Sequence, residues 1–236
     1  MSYVKSYAVI ILLLLSLTGF AQSFQFKTDS QREKNYNQNI KIKGFIIPIA
    51  LISYGSLKPL IPQINNIDTT IRNNIYKNHS NFKTTADDYL MWLPTASIYA
   101  MDALNIKTRH SFKEHLLIDA GSIIITGAFV FGMRTISKNM TVYNSYNTQF
   151  PSGHAANAFR GAEMLHQELK LNNPVLSYSG YLVASGVGLL RLYNKDHLFT
   201  EVIAGAGVGL LSTKLTYLFF NRFKNHKSIL ETSSLF

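Results

Sequence analysis

The chain contains no cysteine among its 236 residues, and only 15% of its residues are charged. Without cysteine no disulfide can form, so packing alone must hold the fold. Acidic residues are especially few, since 13 Asp and Glu stand against 23 Lys and Arg, for a formal net charge of +10. No Lys/Arg-rich run and no basic patch interleaved with aromatic residues occurs, which argues against a nucleic-acid-binding module.

What the composition does contain favours a membrane or membrane-associated protein. Hydrophobic residues make up 47% of the chain, with 13 Tyr and 15 Phe, although the mean hydropathy is only +0.05. The positive net charge suits a surface that faces anionic lipid or an anionic substrate. The length fits one domain with a sizeable core.

The first residues are typical of an export signal. Lys5 precedes an apolar core at residues 8–17, and the small residues Gly19 and Ala21 follow where cleavage would occur. The polar stretch after them has no apolar period. We predict a signal peptide or signal anchor at 1–21, a polar linker at 22–40, a folded domain at 41–225 and a polar tail at 226–236.

Apolar segments of helical length fill most of the remaining chain, and no convincing period-2 strand pattern occurs, so the predicted class is all-α. We expect helices over residues 89–106, 115–133, 152–171, 174–190 and 198–220.

The stretch 42–57 is short and is broken by Pro48, which makes it a poor candidate for a membrane span of about 20 residues. Small residues recur four apart and predict close helix approach, in a membrane bundle or in a tightly packed soluble one. They are Gly180, Ala184 and Gly188 in one helix and Gly205 and Gly209 in another.

The positions of the basic residues predict a membrane topology. If residues 8–20 and the five predicted helices all cross a membrane, the basic connection 107–113 and the basic segment after 220 lie on the cytoplasmic side. The same count brings the loops 134–151 and 191–197 together on the outer face.

The tetrapeptide Pro151-Ser152-Gly153-His154 stands at the start of a predicted helix. Proline can open a helix, serine is a preferred N-cap, and glycine lets a ligand approach the backbone. Free N–H groups and the positive end of the helix dipole then face an anion such as phosphate, and His154 can protonate a leaving oxygen. Taken alone, the tetrapeptide also fits an ordinary helix cap.

A second motif lies in residues 191–201. His197 and Glu201 are four apart, so on a helix the carboxylate can hold one imidazole nitrogen and leave the other as a nucleophile. Arg191 precedes them, and its guanidinium can bind two phosphate oxygens. A surface ion pair is the alternative for the pair in isolation. Two such motifs in the order loop–helix, loop–helix are harder to explain by chance.

Together the motifs resemble the type 2 phosphatidic acid phosphatase (PAP2) and vanadium haloperoxidase superfamily, whose pattern is K-x6-RP, then PSGH, then SR-x5-H-x3-D. The PSGH tetrapeptide and the Arg-to-His spacing are matched, and the resemblance covers most of residues 87–220. The stretch TTADDYLMWLP at 84–94 also resembles one that precedes the catalytic helices of exported bacterial members. A PAP2-like helical bundle embedded in a membrane is implied.

The resemblance implies a role for each matched residue. His197 attacks phosphorus to form a phosphohistidine, Glu201 orients it, and His154 protonates the leaving group and then activates water. The equatorial oxygens are stabilised by Arg191, Ser152 and the amide of Gly153. No metal and no other cofactor is required by that mechanism.

The first motif is eroded. Arg134 stands for the family lysine, but Thr141-Val142 replaces the Arg-Pro, and Lys138 is a nearby candidate substitute. Loss of one phosphate-binding cation costs on the order of 3 kcal/mol of transition-state stabilisation. Glu201 also replaces the family aspartate. We therefore expect the fold to be kept more securely than the turnover.

Other titratable residues are predicted to lie outside the site. His110 and His115 have no carboxylate at metal-ligand spacing, which indicates solvated or interfacial histidines. Asp87 and Asp88 precede a helix and are interpreted as capping residues. No partner follows from the sequence for two acidic residues within helices, Asp119 and Glu163.

The resemblance implies a phosphatase in a bacterial inner membrane with its site facing the periplasm. Its substrate would be a lipid phosphomonoester or diphosphate of the phosphatidic acid, phosphatidylglycerophosphate or undecaprenyl diphosphate type. Alternatives are a soluble periplasmic acid phosphatase acting on small phosphomonoesters, a vanadate haloperoxidase, for which the chain is short, and a non-catalytic membrane protein that binds phospholipid.

Overall fold

The computed structural model describes residues 43–138 and 149–233, with side chains described at 44–138 and 149–224. Every regular element in these residues is a helix, which confirms the all-α class. The predicted signal (1–21), the predicted linker (22–40) and the pair Thr141-Val142 lie outside the described residues.

The described residues form nine helices. They are α1 (Lys43–Ser56), α2 (Pro62–Asn78), α3 (Ala86–Leu90), α4 (Leu93–Ala103), α5 (Phe112–Ser137), α6 (Gly153–Leu169), α7 (Pro174–Ser177), α8 (Ser179–Tyr193) and α9 (Phe199–Ser233). The prediction located each apolar helix but merged α3 with α4, and α7 with α8. The backbone of α9 continues beyond residue 225, where we placed the end of the domain.

Helix α1 runs through Pro48 without interruption, so the expectation of a break there was wrong. The ring removes one backbone donor, but α1 packs along α9, and tertiary packing supplies most of the stability of a protein helix. At Gly207 of α9 an added Cβ would lie 2.7 Å from the carbonyl oxygen of Pro48. With 14 residues, α1 is shorter than a full span, as predicted.

Three helical stretches are long and apolar enough to cross a membrane, Phe112–Ser137, Pro174–Tyr193 and Phe199–Lys224. The first of them exposes large apolar side chains along its length, including Ile124 at 71% and Phe131 at 74%. Such a surface suits contact with lipid chains. These features make the chain a membrane protein.

Helix α6 lies at the centre of the bundle, where it packs against α9, α8, α4 and α5. The small residues allow this packing, as predicted. An added Cβ at Gly209 would collide with the carbonyl oxygen of Ala156, and one at Gly180 would lie 2.9 Å from the Cα of Ala162. Close contact of α6 with α9 brings the starts of these two helices together.

The bundle has two polar ends. The end of α5, the starts of α6 and α9 and the end of α8 share one end, which we call the site end. At the opposite end, Lys224 of α9 donates to Glu114 at the start of α5 over 2.7 Å. The basic segments 107–113 and 220–224 therefore share one end, and the loops flanking Ser152 and His197 share the other, as the charge pattern predicted.

Candidate active site

The starts of α6 and α9 are joined by a backbone hydrogen bond, in which the Ser152 N–H donates to the carbonyl oxygen of Glu201 over 3.0 Å. Ser152 is fully buried and is the N-cap of α6, its hydroxyl oxygen accepting from the Ala155 N–H. This agrees with the predicted cap. The two sequence motifs therefore meet at one place, with the positive terminus of α6 directed into it.

His197 is held by Glu201. Its Nδ1 lies 2.8 Å from Oε2 of Glu201, and the same oxygen accepts the N–H of Leu198 over 3.1 Å. Glu201 is fully buried. Because the carboxylate accepts a hydrogen bond from the N–H at Nδ1, the lone pair is on Nε2, and this is the nitrogen that can act as the nucleophile. The methylene that distinguishes Glu201 from the family aspartate does not prevent this contact.

Arg191, at the end of α8, is fixed by acidic residues. Its Nη1 lies 2.6 Å from Oδ2 of Asp87 and 3.0 Å from Oδ2 of Asp196. Asp87 is almost completely buried, and its other oxygen accepts from the side-chain amide of Asn194 over 3.0 Å. These contacts define where the guanidinium lies before any substrate binds.

Arg134 reaches the start of α6 from α5. Its Nη2 donates to the carbonyl oxygen of Pro151 over 3.4 Å and would lie 3.2 Å from a Cβ added at Gly153. Glycine therefore keeps this helix start open beside the guanidinium, as the motif predicted. Lys138 lies exposed at the end of α5, one turn beyond Arg134.

Arg134 and Arg191 each have an N–H group that is available to a bound ligand. The Nε atoms of Arg134 and Arg191 are buried and have no hydrogen-bond partner among the described residues. A buried donor without an acceptor is unfavourable. A bound phosphate oxygen would satisfy either of them.

His154, in the first turn of α6, is bound through Nε2 to Oδ1 of Asp88 over 2.8 Å. The prediction that Asp87 and Asp88 act as helix caps was wrong. They lie in the first turn of α3, but their carboxylates hold Arg191 and His154 instead. Sequence spacing could not reveal partners so far apart, although the stretch 84–94 had already marked this segment as one that accompanies the catalytic helices.

The ligand atoms of Asp87, Asp88 and His154 lie within 4.8 Å of one another, as in some metal sites. Here Asp87 already binds the guanidinium of Arg191, and a cation would compete with that positive charge. The arrangement fits a hydrogen-bonded phosphate site better than a metal site. The absence of a metal requirement stays a prediction.

A second cluster of histidines and carboxylates lies at the opposite end. Nδ1 of His110 lies 2.8 Å from Glu168. Nδ1 of His115 lies 2.7 Å from Asp102. Nε2 of His115 lies 3.0 Å from Glu168, but the two groups are not aligned for a hydrogen bond. Tyr217 also donates to Glu168. The prediction of solvated histidines was wrong, because their carboxylate partners come from other helices.

Asp119 and Glu163, for which the sequence named no partner, both bind a basic residue. Asp119 pairs with Arg160 and accepts from the Tyr99 hydroxyl over 2.9 Å. Glu163 binds Lys214 over 2.6 Å. Both carboxylates therefore cross-link helices in the interior of the bundle.

Comparison with known proteins agrees with the geometry. Residues 128–225 match the sequence pattern of the PAP2 superfamily. The chain is 33% identical over 159 residues to the lipid A 1-phosphatase of Porphyromonas gingivalis, covering 64% of this chain and 34% of that protein. It thus spans about a third of the length of the curated relative it matches.

Among solved structures, a transmembrane PAP2-type phosphatidylglycerolphosphate phosphatase from Bacillus subtilis is similar, with a TM-score of 0.47 and 18% identity over 77% of this chain and 96% of that chain. The matched range contains Arg134, the PSGH tetrapeptide, Arg191, His197 and Glu201. With both of its motifs at the paired starts of α6 and α9, the chain resembles the PAP2 superfamily over residues 128–225.

Proposed function

We propose that the chain is a phosphatase that removes a phosphate group from a membrane lipid through a phosphohistidine intermediate. One observation carries this proposal: His197 is held at Nδ1 by the buried carboxylate of Glu201, at a paired helix start that also bears His154 and that shares its end of the bundle with Arg191. A nucleophile, an acid/base group and phosphate-binding cations are the parts that phosphoryl transfer requires.

In the first step, Nε2 of His197 attacks phosphorus while the bond to the leaving oxygen breaks and His154 supplies the proton to that oxygen. The negative charge of Glu201 stabilises the imidazole as it becomes positively charged. In the second step, water attacks the phosphohistidine and gives a proton to His154, which releases phosphate and restores both rings.

The equatorial phosphate oxygens would be bound by the open N-terminus of α6 and by guanidinium groups. The buried Nε–H groups of Arg134 and Arg191 are suited to this task, since each has no acceptor among the described residues. Arg134 takes the place of the family lysine, and the exposed Lys138 at the same end of α5 adds positive charge near the eroded motif.

An apolar cavity beside the site supports a lipid over a small soluble ester. It has a volume of about 290 Å³. It is lined by Ser56, Pro59, Leu60, Met133, Ile136, Ser137 and Phe150. Met133 directly precedes Arg134, and Phe150 directly precedes the PSGH tetrapeptide, so the cavity adjoins the phosphate site. A substrate with its phosphate at α6 could place an acyl chain there.

We place the chain in the bacterial inner membrane with the site end facing the periplasm. The predicted export signal and the basic segments at the opposite end support this orientation, because positive residues favour the cytoplasmic side. These segments contribute Lys107, Arg109, Lys113, Arg222 and Lys224.

The test is phosphate release by the full chain in membranes, measured on four substrates. They are phosphatidic acid, phosphatidylglycerophosphate, undecaprenyl diphosphate and lipid A carrying its 1-phosphate. Lipid A is included because the Porphyromonas gingivalis relative is a lipid A 1-phosphatase. We expect release from at least one of them, and a loss of about a thousandfold or more in His197→Ala. His79→Ala is the matched control, since His79 is exposed and its ring packs against Tyr193 at the end of α8.

Equal release by the wild type and His197→Ala would remove His197 from the reaction. If the wild type releases no phosphate from any of the four lipids but binds them in vesicles, the non-catalytic alternative replaces the phosphatase. If it hydrolyses only small phosphomonoesters, the soluble-type activity replaces the lipid one.

A further inference from the structure

Asp88 gives His154 a carboxylate partner that lies outside the residues matching the family pattern. The Nε2 of His154 lies 2.8 Å from Oδ1 of Asp88, and among the described residues Nδ1 has no partner. We propose that Asp88 is the positioning residue of the general acid: it holds His154 at Nε2 so that Nδ1 faces the leaving group. This inference rests on the proposed phosphatase function.

The electrostatic setting explains why such a partner is useful. His154 lies in the first turn of α6, close to the positive end of the helix dipole, and the neighbouring Gly153 lies against the guanidinium of Arg134. The general acid must carry a proton when the substrate binds. A carboxylate at hydrogen-bond distance offsets the surrounding positive charge and fixes which ring nitrogen is free.

Asp88 is half exposed, yet its backbone is held in place by its neighbour. Asp87 is almost fully buried between Arg191 and Asn194, and Asp87 and Asp88 are consecutive in the five-residue helix α3. This helix therefore ties both the phosphate-binding arginine and the general acid to one rigid turn. It couples the two halves of the site through a segment that the motifs do not include.

Exposed pairs of this kind contribute little to stability. If Asp88 had only a structural role, its replacement would thus change stability and turnover very little. A positioning role predicts instead that loss of the carboxylate lowers turnover while the protein remains folded. The two roles make different predictions for the same variant.

The experiment compares Asp88→Asn with the wild type, using the full chain in detergent-solubilised membranes and two substrates. Phosphatidic acid has an alkoxide leaving group that needs a proton, whereas p-nitrophenyl phosphate has one that leaves without it. We expect turnover of phosphatidic acid to fall about ten- to a hundredfold, since complete general-acid catalysis contributes about 10²–10⁴. Formation of the phosphoenzyme from p-nitrophenyl phosphate should be nearly unchanged.

Water activation also needs His154, so Asp88→Asn should accumulate phosphohistidine and release p-nitrophenol in a burst. The double variant Asp88→Asn/His154→Ala should be no slower than His154→Ala alone, because Asp88 acts through His154. Asp88→Glu should recover part of the activity. Tyr89→Phe, which changes the exposed neighbour of Asp88, is the matched control and should behave as wild type.

An equal loss on both substrates without a phosphohistidine would overturn the positioning role, as would wild-type turnover by Asp88→Asn. Additive losses in the double variant would show that Asp88 does not act through His154. A wild-type protein without activity on p-nitrophenyl phosphate or on any of the four lipids would overturn the phosphatase proposal itself, and that result is distinct from the others.

Discussion

The two ends of the bundle use the same residue types in opposite ways. At the site end, His197 and His154 each have one carboxylate partner, Glu201 and Asp88, through one ring nitrogen. At the opposite end, both ring nitrogens of His115 lie against carboxylates. A histidine with one nitrogen remaining can exchange protons or attack phosphorus, whereas one that is enclosed on both sides can only hold helices together.

Exposure separates His154 from His115 in the same way. The side chain of His154 is 28% exposed, whereas His115 is completely buried and Glu168 nearly so. Glu168 also receives His110 and the hydroxyl of Tyr217, so every side of this carboxylate is occupied from within the protein. The opposite end is a closed network that joins α4, α5, α6 and α9, and the site end is an open one.

The contrast between the two ends of the bundle is tested most directly by Glu201→Gln. We expect kcat on the lipid substrate to fall about a hundred- to ten-thousandfold, because the neutral amide removes the charge that orients His197 and stabilises its positive form. The amount of protein in the membrane and its thermal unfolding should change little. Glu201→Asp is the control, since it keeps the charge and restores the family residue. A fully active Glu201→Gln variant would contradict the assigned role.

The reverse experiment is Glu168→Ala at the opposite end. Removal of one partner of a buried ionic network costs about 3–5 kcal/mol, because the remaining groups lose their compensation. We therefore expect a large drop in the unfolding temperature in detergent, with normal kcat for the fraction that stays folded. Lys224→Ala is the control, since the Lys224 side chain is 58% exposed and such pairs contribute little. A selective loss of kcat in Glu168→Ala would place function at this end.

The same contrast explains how much could be predicted from the sequence. The pair His197–Glu201 and the cap at Ser152 were predicted because their partners are three or four residues apart, and helix geometry alone brings them together. The partners of His154 and Arg191 were missed because 66 and 104 residues separate them from their carboxylates.

Helix packing, rather than local pattern, decides such contacts. The enclosed histidines at the opposite end were missed for the same reason, since Glu168 is 58 residues from His110. The helices themselves were found because apolar length and small-residue spacing are local signals. The break between α3 and α4 lies within apolar sequence, and the break between α7 and α8 consists of Tyr178 alone, so those signals do not mark either of them.

The smallest effect is expected for a substitution in the apolar cavity, which tests whether the site end binds a lipid chain. Ile136 lines the cavity and is 67% exposed, so Ile136→Trp should fill the cavity without a large loss of stability. We expect KM for a long-chain phosphatidic acid to rise several-fold, while kcat/KM for p-nitrophenyl phosphate stays unchanged, because one buried CH₂ contributes about 0.8 kcal/mol. Leu182→Trp is the matched control, since Leu182 is 78% exposed on α8 and does not line the cavity. Equal changes for both substrates would show that the cavity does not hold the acyl chain, because a chain-binding cavity must distinguish a substrate that has a chain from one that has none.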